Sequence, residues 1–242
     1  MPLDINGPNG AILHEVHADD AHLLDVACDL FASIFPEDHR HLSYVRASAL
    51  GRHPSHPNTL DHVWVVEQGG EWVGLRVFSY ILTRDFGYGA YIGFLPKVRG
   101  QGMGRWLVSL VHAQLDMDAQ LFGKPGSIGF LGEVERPIDC ETDEERRVAE
   151  RRLQFHRRCG AIILPVPFIE PLMIEGVDYL SPEDVRDESP RSMYLLFNPS
   201  KRGSEIQNLN LVNFVHGIYL DVYRLPRQHE FVRHSLAYLL GE

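Results

Sequence analysis

The chain has 242 residues, with 23 Lys and Arg against 33 Asp and Glu, a formal net charge of −10, and 44% hydrophobic and 23% charged residues. These proportions are those of a globular chain and argue against disordered, collagen-like or coiled-coil architectures, while the acidic excess argues against a nucleic-acid-binding face, which must be basic. Three widely spaced cysteines, Cys28, Cys140 and Cys159, and a first segment with neither a basic nor an apolar run point to a cytoplasmic protein. No stretch reaches the ~20 apolar residues of a membrane span, so no membrane partner is expected.

Ala11 to His17 alternates as a first strand. Asp20 is placed to cap a helix whose apolar residues Leu23, Leu24, Ala27, Leu30, Phe31 and Ile34 recur at helical spacing up to Pro36. A second, more polar helix is expected over Asp38 to Leu50, then a loop over Gly51 to Asn58. Val63 to Glu67 and Trp72 to Leu82 read as a hairpin around Gln68-Gly69-Gly70, and Tyr88 to Leu95 as a further strand. From Gly102 the period changes, and Met103, Trp106, Leu107, Leu110, Val111 and Leu115 form a helical stripe. Ile128 to Val134 is the next strand. Thr142 and Glu145 have capping-box spacing at the head of a helix for which Gly160 stands as the C-terminal stop. Late strands are expected at Ile162 to Phe168, Leu172 to Ile174 and Met193 to Phe197, with Glu175 to Arg191 a polar surface excursion. Two more helices follow Pro199, one over Leu211 to Val222 and one from Phe231 to Leu240.

The segment Pro96-Lys97-Val98-Arg99-Gly100-Gln101-Gly102-Met103-Gly104 joins a strand to a helix. Its alternating glycines allow close backbone approach and expose successive N–H groups, and the new helix adds its positive dipole end. Arg99 and Arg105 would supply charge-assisted bonds to phosphate. Such a loop suits a pyrophosphate. A P-loop is excluded because no Gly-x-x-x-x-Gly-Lys-Ser/Thr occurs, and the Gly-x-Gly-x-Gly spacing after several antiparallel strands does not fit the dinucleotide fingerprint.

Arg99-x-x-Gly102-x-Gly104, preceded by Phe94-Leu95-Pro96, resembles the acetyl-CoA loop of the GCN5-related N-acetyltransferases (GNAT superfamily). A second, looser match is Ala149 to Ala161, where Phe155 and Gly160 fit the family pattern while Ala149, Arg152, His156 and Ala161 depart from it. The resemblance covers Ala11 to Phe197 in order of elements. It implies an α/β (α+β) fold with a mixed, mostly antiparallel central sheet flanked by helices. That core would span 1–200, with the extra C-terminal helices of 201–242 packed on the same domain. It also implies acetyl-CoA as co-substrate, bound by Arg99, Gly100, Gln101, Gly102, Met103 and Gly104. The backbone of Phe94 and Leu95 would pair with pantetheine in a splayed sheet.

Amide formation from a thioester needs a neutral amine, a site for the oxyanion and a proton for the thiolate. Period-two geometry puts Glu133 and Glu135 on one face of their strand, where they are candidates for holding or deprotonating an amine; the same spacing suits a solvent-facing strand end. His156 stands where the family carries a tyrosine that protonates the thiolate, and an ordinary imidazole can exchange a proton near neutrality; it can equally be a helix residue packed on the sheet. Tyr91 and Asp85 are further substrate-site candidates. The spacings of His39, His41, His53, His56 and His62 match no metal framework, so no metal is expected.

The reading is an acetyl-CoA-dependent N-acetyltransferase acting by direct attack of a primary amine of a small molecule or peptide, possible also as a homodimer. The alternatives are a CoA-binding sensor without turnover and a transferase of a longer acyl group.

Overall fold

The computed structural model describes residues 5–52, 57–171 and 190–241. Its strands are β1 (Ala11–Glu15), β2 (Thr59–Gln68), β3 (Glu71–Ile81), β4 (Gly87–Phe94), β5 (Gly129–Glu135), β6 (Ile162–Ile163), β7 (Phe168–Glu170) and β8 (Arg191–Pro199). The helices are α1 (Ala21–Ile34), α2 (Leu42–Ser48), α3 (Met103–Leu121), α4 (Asp143–Arg158), α5 (Lys201–Ser204), α6 (Leu211–His216) and α7 (Glu230–Leu240). The strands form one sheet in the order β1-β2-β3-β4-β5-β8-β6, with β7 also on β8; β4 and β5 pair in parallel and the other described pairs are antiparallel. This is the mixed, mostly antiparallel sheet that the sequence leads one to expect. Among the described residues no helix is long and apolar enough to cross a membrane.

Strict alternation sorts the side chains. Val63 and Val65 of β2, with Leu75 and Val77 of β3, face α1 and α2, and the intervening Trp64, Val66 and Phe78 face α3. On the other half of the sheet, Leu131, Leu195 and Phe197 pack against Phe214, Ile218, Tyr219 and Val232 of the C-terminal helical segment, while Val134 and Leu196 meet Leu153 of α4. One face of the sheet is therefore covered by α1, α2, α6 and α7, and the other by α3 and α4.

Local chemistry sets the boundaries. The Asp20 carboxylate accepts the Leu23 N–H at 3.0 Å and starts α1. Gly69 and Gly70, at φ 61° and 80°, make the hairpin turn that a side chain would strain. Thr142 and Glu145 form the reciprocal capping box of α4.

Three elements differ from expectation. The second helix opens as a 3-10 turn over Pro36–His41 before α2. The strand expected at 162–168 breaks into β6 and β7, because Pro165 and Pro167 lack the N–H that a ladder needs. The helix expected over Leu211 to Val222 ends at His216 and continues as a π-helical turn, Gly217–Val222. There a Cβ on Gly217 would fall 2.6 Å from the Phe86 ring, and Asp221 is held by Arg84 at 2.9 Å. The expected strand at 172–174 and nearly all of the excursion at 175–191 fall outside the described residues, as do His53 and His56.

Candidate active site

The parallel ladder between β4 and β5 has two pairs only, Gly87 with Phe130 and Tyr88 with Leu131. Beyond them β4 runs on to Phe94 and β5 to Glu135 without pairing, so the sheet splays open. The bend has a local cause. Val77 of β3 faces Tyr91 while Ser79 faces Tyr88, which leaves one extra residue in β4 at Gly89-Ala90, a bulge that turns the strand away from β5. A cavity of about 210 Å³ fills the splay and reaches both faces of the sheet. Arg76, Phe155 and His156 line it on the α3/α4 side, and Tyr91, Glu133 and Tyr223 on the other.

The glycine loop lies at the C-terminal end of β4. Gly100 and Gly102 have φ of 81° and 84°, and nothing stands within 4 Å of where their side chains would be, so the left-handed conformation and not crowding calls for glycine. The first intrahelical bond of α3 runs from Trp106 N–H to Gly102 C=O, which leaves the N–H groups of Met103, Gly104 and Arg105 at the loop without an intrahelical partner. Met103 offers only its backbone there, because its side chain is buried under α3. Gly104 acts differently from the other loop glycines. A Cβ on it would fall 2.5 Å from the Phe155 ring, so it seats α3 against α4. Gln101 accepts from the Asn9 amide at 3.1 Å, and Arg99 Nε donates to the Phe94 carbonyl at 3.0 Å.

Leu95 departs from its expected role. Its N–H is spent on the Val73 carbonyl at 2.9 Å and its carbonyl accepts from Val98, so it has no backbone edge to offer. Alternation along β4 instead turns the backbone groups of Ile92 and the N–H of Phe94 toward the splay, the Phe94 carbonyl being taken by Arg99 Nε.

Glu133, Glu135 and His156 all line the same cavity. Glu133 accepts from Tyr88 Oη at 3.1 Å and from Tyr223 Oη at 2.9 Å. Burial, and then the nearby Glu170 carboxylate, push its carboxyl well above the usual range, so it carries a proton more readily than an ordinary glutamate. Glu135 is engaged by Arg152 at the rim and is not a free carboxylate. Burial, followed by the charges of Arg76 and Arg152, pushes His156 down to about 4, so its imidazole is neutral at physiological pH rather than poised near 6.5. Tyr91 lines the cavity and bonds His41 Nδ1 at 2.5 Å. Asp85 lies elsewhere, paired with Arg202 at 3.1 Å.

The sequence reading missed Arg76, Tyr88 and Tyr223. For Arg76 a signal existed: a lone guanidinium within the apolar strand Val73 to Ile81. The two tyrosines gave none, since their meeting at Glu133 depends on the C-terminal segment folding back over β5.

The fold is similar to that of a chain from Bacteroides thetaiotaomicron assigned to the GNAT acetyltransferase family, with a TM-score of 0.55 and 17% identity over 88% of this chain and 99% of that one. A GNAT-family chain from Desulfovibrio desulfuricans aligns at a TM-score of 0.49 and 13% identity, over 78% of this chain and 98% of that one. An aminoglycoside 6'-N-acetyltransferase complexed with coenzyme A also aligns at 0.49, with 14% identity over 78% of this chain and 96% of that one. No family model matches the chain, and no curated protein is similar to it in sequence. The chain has the fold of the GNAT acetyltransferases.

Proposed function

We propose that this chain, with its GNAT fold, is a CoA-dependent N-acyltransferase that moves an acetyl or similarly small acyl group to a primary amine by direct attack. The observation that carries the reading is the splay of β4 from β5, open through the sheet, with a glycine loop and helix N-terminus at its wide end. Loop N–H groups at 100–104 and Arg99 would hold the pyrophosphate. The splay-facing backbone of Ile92 and Phe94 would pair with the amides of pantetheine, and this brings the thioester into the cavity.

The acceptor approaches from the α1/α2 side, where Glu133, Glu170 and Asp38 line the cavity. Such a surface favours an ammonium ion. Low polarity raises the Glu133 carboxyl and lowers the amine, so the proton passes from ammonium to Glu133 and the neutral nitrogen attacks the thioester carbon. The C–N bond forms, the C–S bond breaks, and the displaced proton ends on the thiolate. Neutral His156 serves as a hydrogen-bond donor to the departing sulfur rather than as an imidazolium acid. Small-molecule amines and the lysine or N-terminus of a peptide both fit this chemistry.

Thiol release from acetyl-CoA in the presence of polyamines, aminoglycosides, amino acids and peptides tests the reading. Acceptor-dependent release is expected. Acetyl-CoA binding without release for any acceptor would favour a CoA-binding module, and no binding at all would overturn the proposal.

A further inference from the structure

Arg76 lies in the middle of β3 and is 2% exposed. Its Nη1 donates to the Tyr91 carbonyl at 3.3 Å, but its Nε and Nη2 have no hydrogen-bond partner among the described residues. No carboxylate pairs with it among those residues; its neighbours are the Phe130 and Phe78 rings, with Cζ 5.3 and 5.8 Å from their centroids. Burial lowers its affinity for a proton to about 10, still high enough to keep the charge at neutral pH. A buried guanidinium with two nitrogens left without a partner, on a side chain that lines the cavity, is costly unless a ligand supplies the anion.

Position identifies which part of a ligand that would be. The glycine loop stands beyond Phe94, so pyrophosphate occupies the wide end of the splay and pantetheine runs back along Ile92 toward the bulge. The guanidinium sits at the opposite, closed end. Its Nη2 lies 2.2 Å from where a Cβ of Gly89 would be, and the Phe130 ring beneath it belongs to the residue that pairs with Gly87 in the last rungs of the ladder. Gly89 is thus the gap that admits the head of Arg76. What reaches that end is the acyl chain beyond the thioester. The acidic groups Glu133, Glu170 and Asp38 line the cavity from the other face of the sheet, so the cation belongs to the donor side.

Resting on the acyltransferase reading above, we propose that the preferred donor is the CoA thioester of a short dicarboxylic acid, its free carboxylate bound by Arg76 at the closed end of the splay. The planar fork of a guanidinium matches a carboxylate in a bidentate pair. The amine nitrogen attacks the thioester carbon, the C–N bond forms and the C–S bond breaks. The amine's proton ends on the thiolate, and the distal carboxylate stays on Arg76 unchanged. The product is an amide that carries a new negative charge where the acceptor had a positive one.

The test compares kcat/KM for succinyl-CoA and acetyl-CoA, with an amine found active in the screen, in the wild type and in Arg76→Met. Preference for succinyl-CoA by about tenfold or more is expected in the wild type, and in Arg76→Met the ratio of kcat/KM for succinyl-CoA to that for acetyl-CoA should fall to about one. A wild-type preference for acetyl-CoA, or a parallel fall for both donors, would overturn the inference and give Arg76 a role at the reacting centre or in the core. Calorimetry on the wild type alone guards against a variant that does not fold. A carboxyethyl thioether of CoA should bind about tenfold more tightly than the ethyl thioether. Equal affinity overturns the carboxylate site while leaving CoA binding intact, whereas binding of neither thioether overturns the acyl-CoA reading itself.

Discussion

Glu133 concentrates the chemistry of the cavity, because two phenols hold it in place and burial beside Glu170 keeps its proton affinity high. Glu133→Gln keeps the shape and removes the proposed base, so kcat should fall by about 100-fold with CoA affinity unchanged, read by thiol release and calorimetry. A fall of less than about threefold would remove it from the mechanism. The base works only when deprotonated, and its affinity is raised; kcat/KM should therefore climb with pH through a group above the usual carboxylate range and flatten once that group has lost its proton. His156 adds no step near 6.5, since it is neutral above about 4. A pH profile for His156→Ala that loses an inflection near neutrality would contradict that assignment. The period of a strand put Glu133 and Glu135 on one face without any structure. What sequence could not show is charge state: Glu135 is paired by Arg152, which reaches across from α4, and His156 is depressed first by burial, then by Arg76 on β3 and by Arg152 one turn earlier on its own helix.

At the scale of elements, α3 and α4 meet where Gly104 admits the Phe155 ring. Gly104→Ala should push the helices apart, destabilise the protein by about 1–3 kcal/mol in denaturant unfolding and weaken CoA binding. Combining it with Phe155→Leu should recover part of both losses, and additive losses would contradict the contact. Caps and apolar periods made α1, α3 and α4 legible in advance, because each is dictated by residues within a few positions. The splay was not legible from the residues alone. It depends on a bulge defined by the register of β4 on β3 and on a partner strand that begins some 40 residues later. The π-helical end of α6 likewise follows from Phe86 and Arg84, remote in sequence.

Across the whole molecule, a buried charge ties three elements together. His62 on β2 bonds the Glu15 carboxylate of β1 at 2.6 Å and the Asp118 carboxylate of α3 at 3.1 Å. Burial alone would lower its pKa, but the two carboxylates outweigh it and raise it from 6.5 to about 9. A raised folded-state pKa contributes stability that is complete below 6.5 and lost as pH climbs through about 9. Between those limits the wild type should lose on the order of 3 kcal/mol more than His62→Gln in urea unfolding, and equal slopes would contradict the buried cation. The net charge of −10 conceals such local arrangements: a cation inside the core, another at the closed end of the splay, and a glycine loop with open helix N–H groups at its wide end. That loop and splay carry the central claim, which titration calorimetry of acetyl-CoA into the wild type and Gly102→Val tests most directly. One molecule should bind per wild-type chain, and Gly102→Val, forcing a branched side chain into a left-handed position, should bind about tenfold more weakly or worse. No binding by the wild type, or equal binding by the variant, would contradict the account.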